Sequence, residues 1–335
     1  MTIKDLAAQT GYSVGTVSRV LNNQPHVSEA AREIILRAAA EADFQLNTNA
    51  KQLKQQHSKT LLVICKGNVN ELFDNLLVSI QARIARTEYP LIVDYIDEVD
   101  NEVRRAVQLC LEKKPLGILF LGGNRRHFLE DFQHIHVPCV LVTNEAKDLP
   151  FRNLSSVSSD DVLAAEMAIN HLITLGHSRI GVIGGCREKS DTTALRYRGC
   201  CNTFEKAGLP FPESRYETAR FSYEDGYRAA RDLLQREPGL TAIFAMSDVM
   251  AIGAMRALTD LGMQIPGDIS VVGFDGLALS DFTVPRLTTV VQSVQNLVDR
   301  CLALLGHYGE EDAEAIHETV PVTLAEKEST KRLTE

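Results

Sequence analysis

The chain has 335 residues, two to three times a typical domain, and its 44% hydrophobic and 24% charged residues are globular values that exclude a disordered chain. No apolar run approaches the roughly 18–20 residues of a membrane span. The opening MTIKDLAAQT has neither the basic flank nor the apolar core of a secretory signal, so a cytoplasmic protein is expected. The seven cysteines (65, 110, 139, 186, 200, 201 and 301) are scattered without CxxC spacing, which excludes a disulfide framework and a zinc ribbon.

Net charge is −9, which taken whole argues against a nucleic-acid partner, but the charge is unevenly spread. Residues 1–60 hold seven Lys/Arg against five Asp/Glu, and the remainder holds 28 against 39. A head of +2 joined to a body of −11 suits a head that meets a polyanion while the body does something else.

The head reads as three short helices. Thr2 is placed to cap the first, with Asp5 completing a capping box over Ile3–Gln9. Gly11 stops that helix, and Ser13 is placed to cap a second, Val14–Asn22, with an apolar stripe of Val17, Val20 and Leu21. Asn22, Asn23 and Pro25 break the chain. Ser28 then caps a third helix carrying Ala31, Ile34, Ile35 and Ala38 at helical spacing. Helix, Gly-containing turn and helix make a helix-turn-helix, whose second helix fits a major groove. Ser13, Thr16 and Ser18 supply short hydroxyls for phosphate oxygens. Arg19 can fork onto guanine O6 and N7. Val14 and Gly15 stand at the leading end and offer apolar contact or space.

The segment TIKDLAAQTGYSVGTVSRVLNNQPHVSEAARE resembles the DNA-binding headpiece of the LacI/GalR family of bacterial transcription regulators. The T-I-K-D-L-A start, the T-V-S-R-V-L-N core at 16–22 and the V-S at 27–28 match together. The resemblance implies a hinge helix next, and NTNAKQLKQQ (47–56) stands in its place. Leu53 would be the minor-groove wedge that kinks the operator, and Ala50 would pack against its partner in a dimer. Thr2, Asn22, His26 and Asn47 complete the candidate DNA-contacting set. Leu46 occupies the position where the family usually has proline, so the linker loses a fixed φ.

From Thr60 onward, apolar runs alternate with amphipathic stretches. LLVIC (61–65), LIVDYI (91–96), LGILFL (116–121), CVLVT (139–143), RIGVIGG (179–185), TAIFAM (241–246) and ISVVGF (269–274) read as buried parallel strands. The fold class expected is therefore a small all-α helix-turn-helix headpiece plus an α/β core of two doubly wound parallel-sheet lobes, with a ligand between the strand ends. HLITLGHSRIGVIGG (171–185), SDVMAIGAMRAL (247–258) and PGDISVVGFDG (266–276) resemble the family's effector-binding core, itself similar to periplasmic sugar-binding proteins. The organisation expected is headpiece 1–46, hinge 47–59, core 60–330 and tail 331–335. Lobe 1 would take about 60–158 and 293–319, and lobe 2 about 159–292 and 320–330.

Carried over by position, the resemblance implies effector contacts at Asn68, Asn70, Phe73 and Asn144 in the first lobe. In the second it implies Arg196, Phe221, Ser247, Asp248, Asp275 and Gln292. Ser247 and Gly276 depart from the family, where an amide or other polar residue and a second aspartate are common. Two acids with one arginine favour a neutral polyol. Plainer alternatives stand beside these roles: Asp275 as a helix cap, Phe73 and Phe221 as core, and Arg196 as a surface ion pair.

His134 and His136 lack a third ligand and are expected to be loop residues rather than a metal site. Cys200–Cys201 reads as buried thiol. The chain has no GxGxxG, Walker or GxSxG motif, so neither a cofactor nor catalysis is expected. The closing VPVTLAEKEST (320–330) resembles the family's end with Lys327 for arginine, and only five residues follow. A heptad tail is absent, so a homodimer on palindromic operator DNA is expected. The reading is a repressor controlled by a small ligand and not an enzyme, for want of a base–nucleophile pair; a solute-binding receptor without a DNA role is the alternative.

Overall fold

The computed structural model describes residues 3–21, 27–42, 59–67, 70–308 and 313–333. Met1–Ser58 and Lys59–Glu335 form two units.

The first unit packs α1 (Ile3–Thr10), α2 (Val14–Leu21) and α3 (Glu29–Glu41) around Leu6, Ala7, Val17, Val20, Ile35 and Ala39. Gly11 ends α1 with φ +73°, a left-handed conformation that L side chains resist, and donates its N–H to Ala7 O. Ser13 Oγ caps α2 by accepting from Thr16 N at 3.1 Å, and Ser28 caps α3 by accepting from Ala31 N. The stripe on α3 differs from the expected one. It runs through Ala31, Ile35 and Ala39, one residue per turn, and leaves Ile34 46% exposed. Thr2 and Asn22, expected at helix ends, and the whole hinge segment lie outside the described residues.

The second unit contains two six-stranded sheets. The first sheet takes β1 (Leu61–Lys66), β2 (Leu91–Ile96), β3 (Gly117–Leu121), β4 (Cys139–Val142), β5 (Leu154–Ser159) and β11 (His317–Val320), in the order β11-β5-β4-β3-β1-β2. The second takes β6 (Ile180–Gly184), β7 (Tyr216–Thr218), β8 (Ala242–Ala245), β9 (Ser270–Asp275), β10 (Thr288–Gln292) and β12 (Val322–Ala325), in the order β12-β10-β9-β8-β6-β7. All pairs are parallel except β10 with β12. Crossover helices alternate with the strands: α4 (Glu71–Ile84), α5 (Glu102–Lys113), α6 (Arg125–Asp131) and α11 (Val294–His307) serve the first sheet. The second is served by α7 (Asp161–Thr174), α8 (Asp191–Lys206), α9 (Tyr223–Arg236) and α10 (Asp248–Asp260).

Each sheet reverses its strand order once, between β1 and β3 and between β6 and β8. Crevices at the carboxyl ends of strands open at such reversals. Three connections pass between the sheets, after β5, β10 and β11. Two are tied together, because Ser159 Oγ at the end of β5 donates to Gln292 Oε1 at the end of β10 (2.9 Å).

The seven apolar runs expected as strands coincide with β1–β4, β6, β8 and β9. β5, of sequence LSSVSS, gives no such signal, yet all six of its residues are buried. Three of its hydroxyls are paired inside the protein: Ser159 as above, Ser155 Oγ with Tyr308 OH, and Ser156 Oγ with His317 Nδ1, the last two both at 2.9 Å. A paired hydroxyl escapes the cost of burying a lone polar group.

Candidate functional site

Two surfaces matter, one on each unit. On the head, Val17 and Val20 anchor α2 in the core, which turns its other side outward. Ser13, Val14, Gly15 and Arg19 are exposed, and Thr16 and Ser18 are half-buried. These six therefore share the end and outer side of one helix, the arrangement a groove-reading helix needs. The Ser13 hydroxyl is shared between the cap and Thr16 Oγ1 (2.9 Å). Thr2, Asn22, His26, Asn47, Ala50 and Leu53 lie outside the described residues.

In the second unit, a cleft of about 790 Å³ opens between the two sheets. It lies at the strand ends that follow the order reversals, with Lys66, Gly122, Gly123 and Gly185 on its walls. Glycine is required at 122 by φ +77° and by the Phe73 ring, whose atoms would stand 2.9 Å from any Cβ.

Six residues expected at the site line this cleft: Asn70, Phe73, Asn144, Arg196, Phe221 and Asp275. Asn70 caps α4 through its Oδ1, and Asn144 Nδ2 donates to Gly123 O (3.2 Å). Phe73 is both wall and core, 8% exposed within the first lobe's cluster. Phe221 is half-buried and packs against the second lobe's core. Arg196 is no surface ion pair. It is buried on α8, donates from Nε to Asp161 Oδ1 (2.7 Å) and from Nη1 to Met246 O (2.6 Å), and lies 3.7 Å over the Phe274 ring.

Asp275 is no helix cap either. It ends β9 with φ +116°, a strained conformation for a side-chain-bearing residue, and accepts from Gln292 Nε2 (2.8 Å). Burial pushes its carboxyl up to about 7, against the opposing pull of Arg196 and of the Gln292 bond. Gly276, where the family commonly has an acid, has φ +74°, and a Cβ there would meet Val291 at 2.8 Å.

The other expected residues stand elsewhere. Ser247 is buried and caps α10 through Met250 N. Asp248 is fully buried and accepts from Thr289 Oγ1 (2.6 Å) and Leu277 N (2.7 Å), tying α10 to the chain after β9. Burial pushes its carboxyl up to about 8. Gln292 sits behind Asp275, holding that acid with its amide and Ser159 with its carbonyl. These three support the wall rather than line it, because their polar atoms are consumed inside the fold. Asn68 lies outside the described residues.

Sequence reasoning missed the charged rim. Arg220 of the second lobe donates to Asp97 (3.0 Å) and to Glu98 of the first, Asn124 Nδ2 donates to Lys189 O (2.8 Å), and Arg125 N donates to Asp191 (2.6 Å). These residues follow β2, β3, β6 and β7, and only the two sheets side by side bring the pairs together, so no local pattern marks them. Among the described residues there is no His/Cys/Asp/Glu group able to hold a metal, and no helix long and apolar enough to cross a membrane.

A groove-reading three-helix head and a two-sheet cleft together define a DNA-binding regulator with a periplasmic-binding-protein-like core. Residues 2–47 match the model of bacterial regulatory proteins of the lacI family, and residues 169–330 match that of a periplasmic binding protein-like domain. The chain is 32% identical to the HTH-type transcriptional regulator MalR of Clostridium butyricum over 98% of this chain and 99% of that one. It is 33% identical to the HTH-type transcriptional regulator GalS of Salmonella typhimurium over 98% and 96%. A lac repressor dimer solved with operator and the anti-inducer ONPF superposes with a TM-score of 0.79 at 25% identity, covering 99% of each chain. The chain belongs to the lacI family of transcriptional regulators and binds DNA; its relatives are regulators, not enzymes.

Proposed function

We propose that the chain is a cytoplasmic repressor, acting as a homodimer on palindromic operator DNA, whose affinity is set by a neutral sugar bound in the cleft. The observation that carries this reading is the convergence of Asn70, Phe73, Asn144, Arg196, Phe221 and Asp275 on one cleft. Amide, guanidinium and carboxyl groups match the donor and acceptor pattern of ring hydroxyls, and Phe73 and Phe221 suit the apolar face of a sugar ring. Residues 1–46 read DNA, 47–59 form the hinge, and 60–330 sense ligand with the lobe division given above. The lac repressor dimer was solved with operator, which supports dimeric DNA binding here.

Ligand acts by preferring one arrangement of the lobes, since equal affinity for both would shift nothing. The rim pairs Arg220–Asp97 and Asn124–Lys189 depend on that arrangement. Induction is the expected direction. A mobility-shift titration of the full chain on its own upstream DNA, with pentoses, hexoses and disaccharides added in turn, tests the reading. Release of DNA by one sugar supports it; palindromic DNA bound no more tightly than random DNA refutes it.

A further inference from the structure

The first-lobe wall of the cleft carries a polar cluster outside the set expected from sequence. Glu102, the first residue of α5, is fully buried and accepts three hydrogen bonds. They come from Lys66 Nζ at the end of β1, from His127 Nδ1 on α6 (2.9 Å) and from the backbone N–H of Asn124 (2.6 Å). Lys66 Nζ donates also to Asp100 O (2.6 Å). Burial raises the Glu102 carboxyl, but the His127 bond and the Lys66 ammonium more than reverse this and leave it below the usual carboxylate range.

Glu102 is therefore a carboxylate, which only accepts. A hydrogen of the His127 ring must then sit on Nδ1, and in the neutral tautomer this leaves Nε2 as an acceptor. Among the described residues, the one buried side-chain nitrogen or oxygen without a hydrogen-bond partner is Arg215 Nε, so Nε2 of the half-buried His127 is accessible. Both Lys66 and His127 line the cleft. Two of the three Lys66 N–H groups are committed; Nζ also stands 3.5 Å from His127 Nδ1, but a protonated Nδ1 offers it no lone pair, so the third N–H is available to a ligand.

We propose that Lys66 and His127 form a second polar subsite, taking a hydroxyl of a neutral disaccharide, with Glu102 as the positioning residue for both. This rests on the sugar-binding reading above. Lys66 donates to the hydroxyl oxygen, and His127 Nε2 accepts the hydroxyl hydrogen. The Lys66 and Glu102 charges cancel, so the pair has no surplus to hold an anion. At about 790 Å³ the cleft lies in the upper part of the roughly 300–1,000 Å³ range of small-molecule sites, with room beyond a single ring. Asn124, fixed by Glu102, donates across the cleft to Lys189 O, so the cluster also holds one of the bonds between the lobes.

Calorimetric titration of the full chain with cellobiose, maltose, D-glucose and D-ribose tests the subsite, with the ligand-free melting midpoint confirming that each variant is folded. A disaccharide should bind more tightly than glucose. His127→Phe, which removes the acceptor, should weaken that disaccharide about three- to tenfold, the equivalent of one hydrogen bond, and collapse its preference over glucose. His127→Gln, which keeps an amide acceptor, should restore part of the preference and serves if the Phe variant does not fold. Glucose binding as tightly as both disaccharides, or an unchanged disaccharide titration in His127→Phe, overturns the subsite while leaving the sugar reading intact. No binding of any of the four sugars to the wild type refutes the sugar reading itself, and the subsite with it.

Discussion

Removing the Arg196 guanidinium should damage the second lobe as well as the cleft. Arg196 and Asp161 form an ion pair whose side chains are only 6% and 3% exposed. Burial drives the Asp161 carboxyl up from its ordinary value even though Arg196 pulls it down, so pairing does not fully offset desolvation. In Arg196→Met the acid loses its partner and Met246 O loses a donor. Breaking a buried pair from one side costs about 3–5 kcal/mol. That corresponds to a fall in melting midpoint of roughly 6–20 °C at about 2–4 °C per kcal/mol for a domain of this size.

Two signatures separate this mechanism from simple loss of packing. The first concerns pH. Without Arg196, the Asp161 carboxyl rises further in the folded state, and folding then favours the protonated acid. Stability is kept below the usual carboxylate range and lost as pH rises, at up to about 1.4 kcal/mol per pH unit. The deficit of Arg196→Met should therefore be larger at pH 8 than at pH 5. The second is coupling: Arg196→Met with Asp161→Leu removes both charges and should cost less than Arg196→Met alone, leaving about 1–3 kcal/mol for the orphaned Met246 carbonyl. Urea unfolding followed by circular dichroism at both pH values measures all of these. A deficit independent of pH, or a double variant costing the sum of the singles, would refute the argument.

Arg19→Ala should weaken operator binding by about 1–3 kcal/mol and relax discrimination at one base pair; a uniform loss across all sequences would instead make Arg19 a phosphate contact. Gly253→Ala places a Cβ 2.1 Å from Tyr223 O, where α9 and α10 touch through their backbones. The helices must separate, so thermal unfolding should show a loss of about 1–3 kcal/mol. Asp248, pushed up to about 8 by burial, favours folding when protonated, so its contribution is complete below about pH 4 and lost as pH rises through 8. Asp248→Asn, whose amide can still serve Leu277 N and Thr289 Oγ1, should lose less melting temperature than wild type between pH 6 and pH 9.

The residues legible beforehand are those whose role is local. Ser13 and Ser28 stand just ahead of helical spacing and do cap α2 and α3. LLVIC and TAIFAM are apolar because parallel strands covered on both faces must be. β5 escaped notice because Ser155, Ser156 and Ser159 are satisfied by Tyr308, His317 and Gln292, which lie more than a hundred residues away in the chain. Asp248 follows β8 and Gln292 ends β10 much as Asp275 ends β9, yet they face inward. Strand position fixes which end of the sheet a side chain occupies; whether its polar atoms reach the cleft depends on which partners pack behind it. His127 carried no signal at all, since its partner Glu102 gains meaning only when α5 and α6 meet.

The charge division between a +2 head and a −11 body is written in the sequence and needs no fold to be read. The same holds for the helix-turn-helix spacing and the alternation of apolar runs with amphipathic stretches, because caps, periodicity and charge act over a few residues. The tertiary structure alone decided which side chains share the cleft and which are spent supporting it. Those outcomes turn on desolvation and hydrogen-bond partners supplied by distant strands, and such partners have no fixed spacing along the chain.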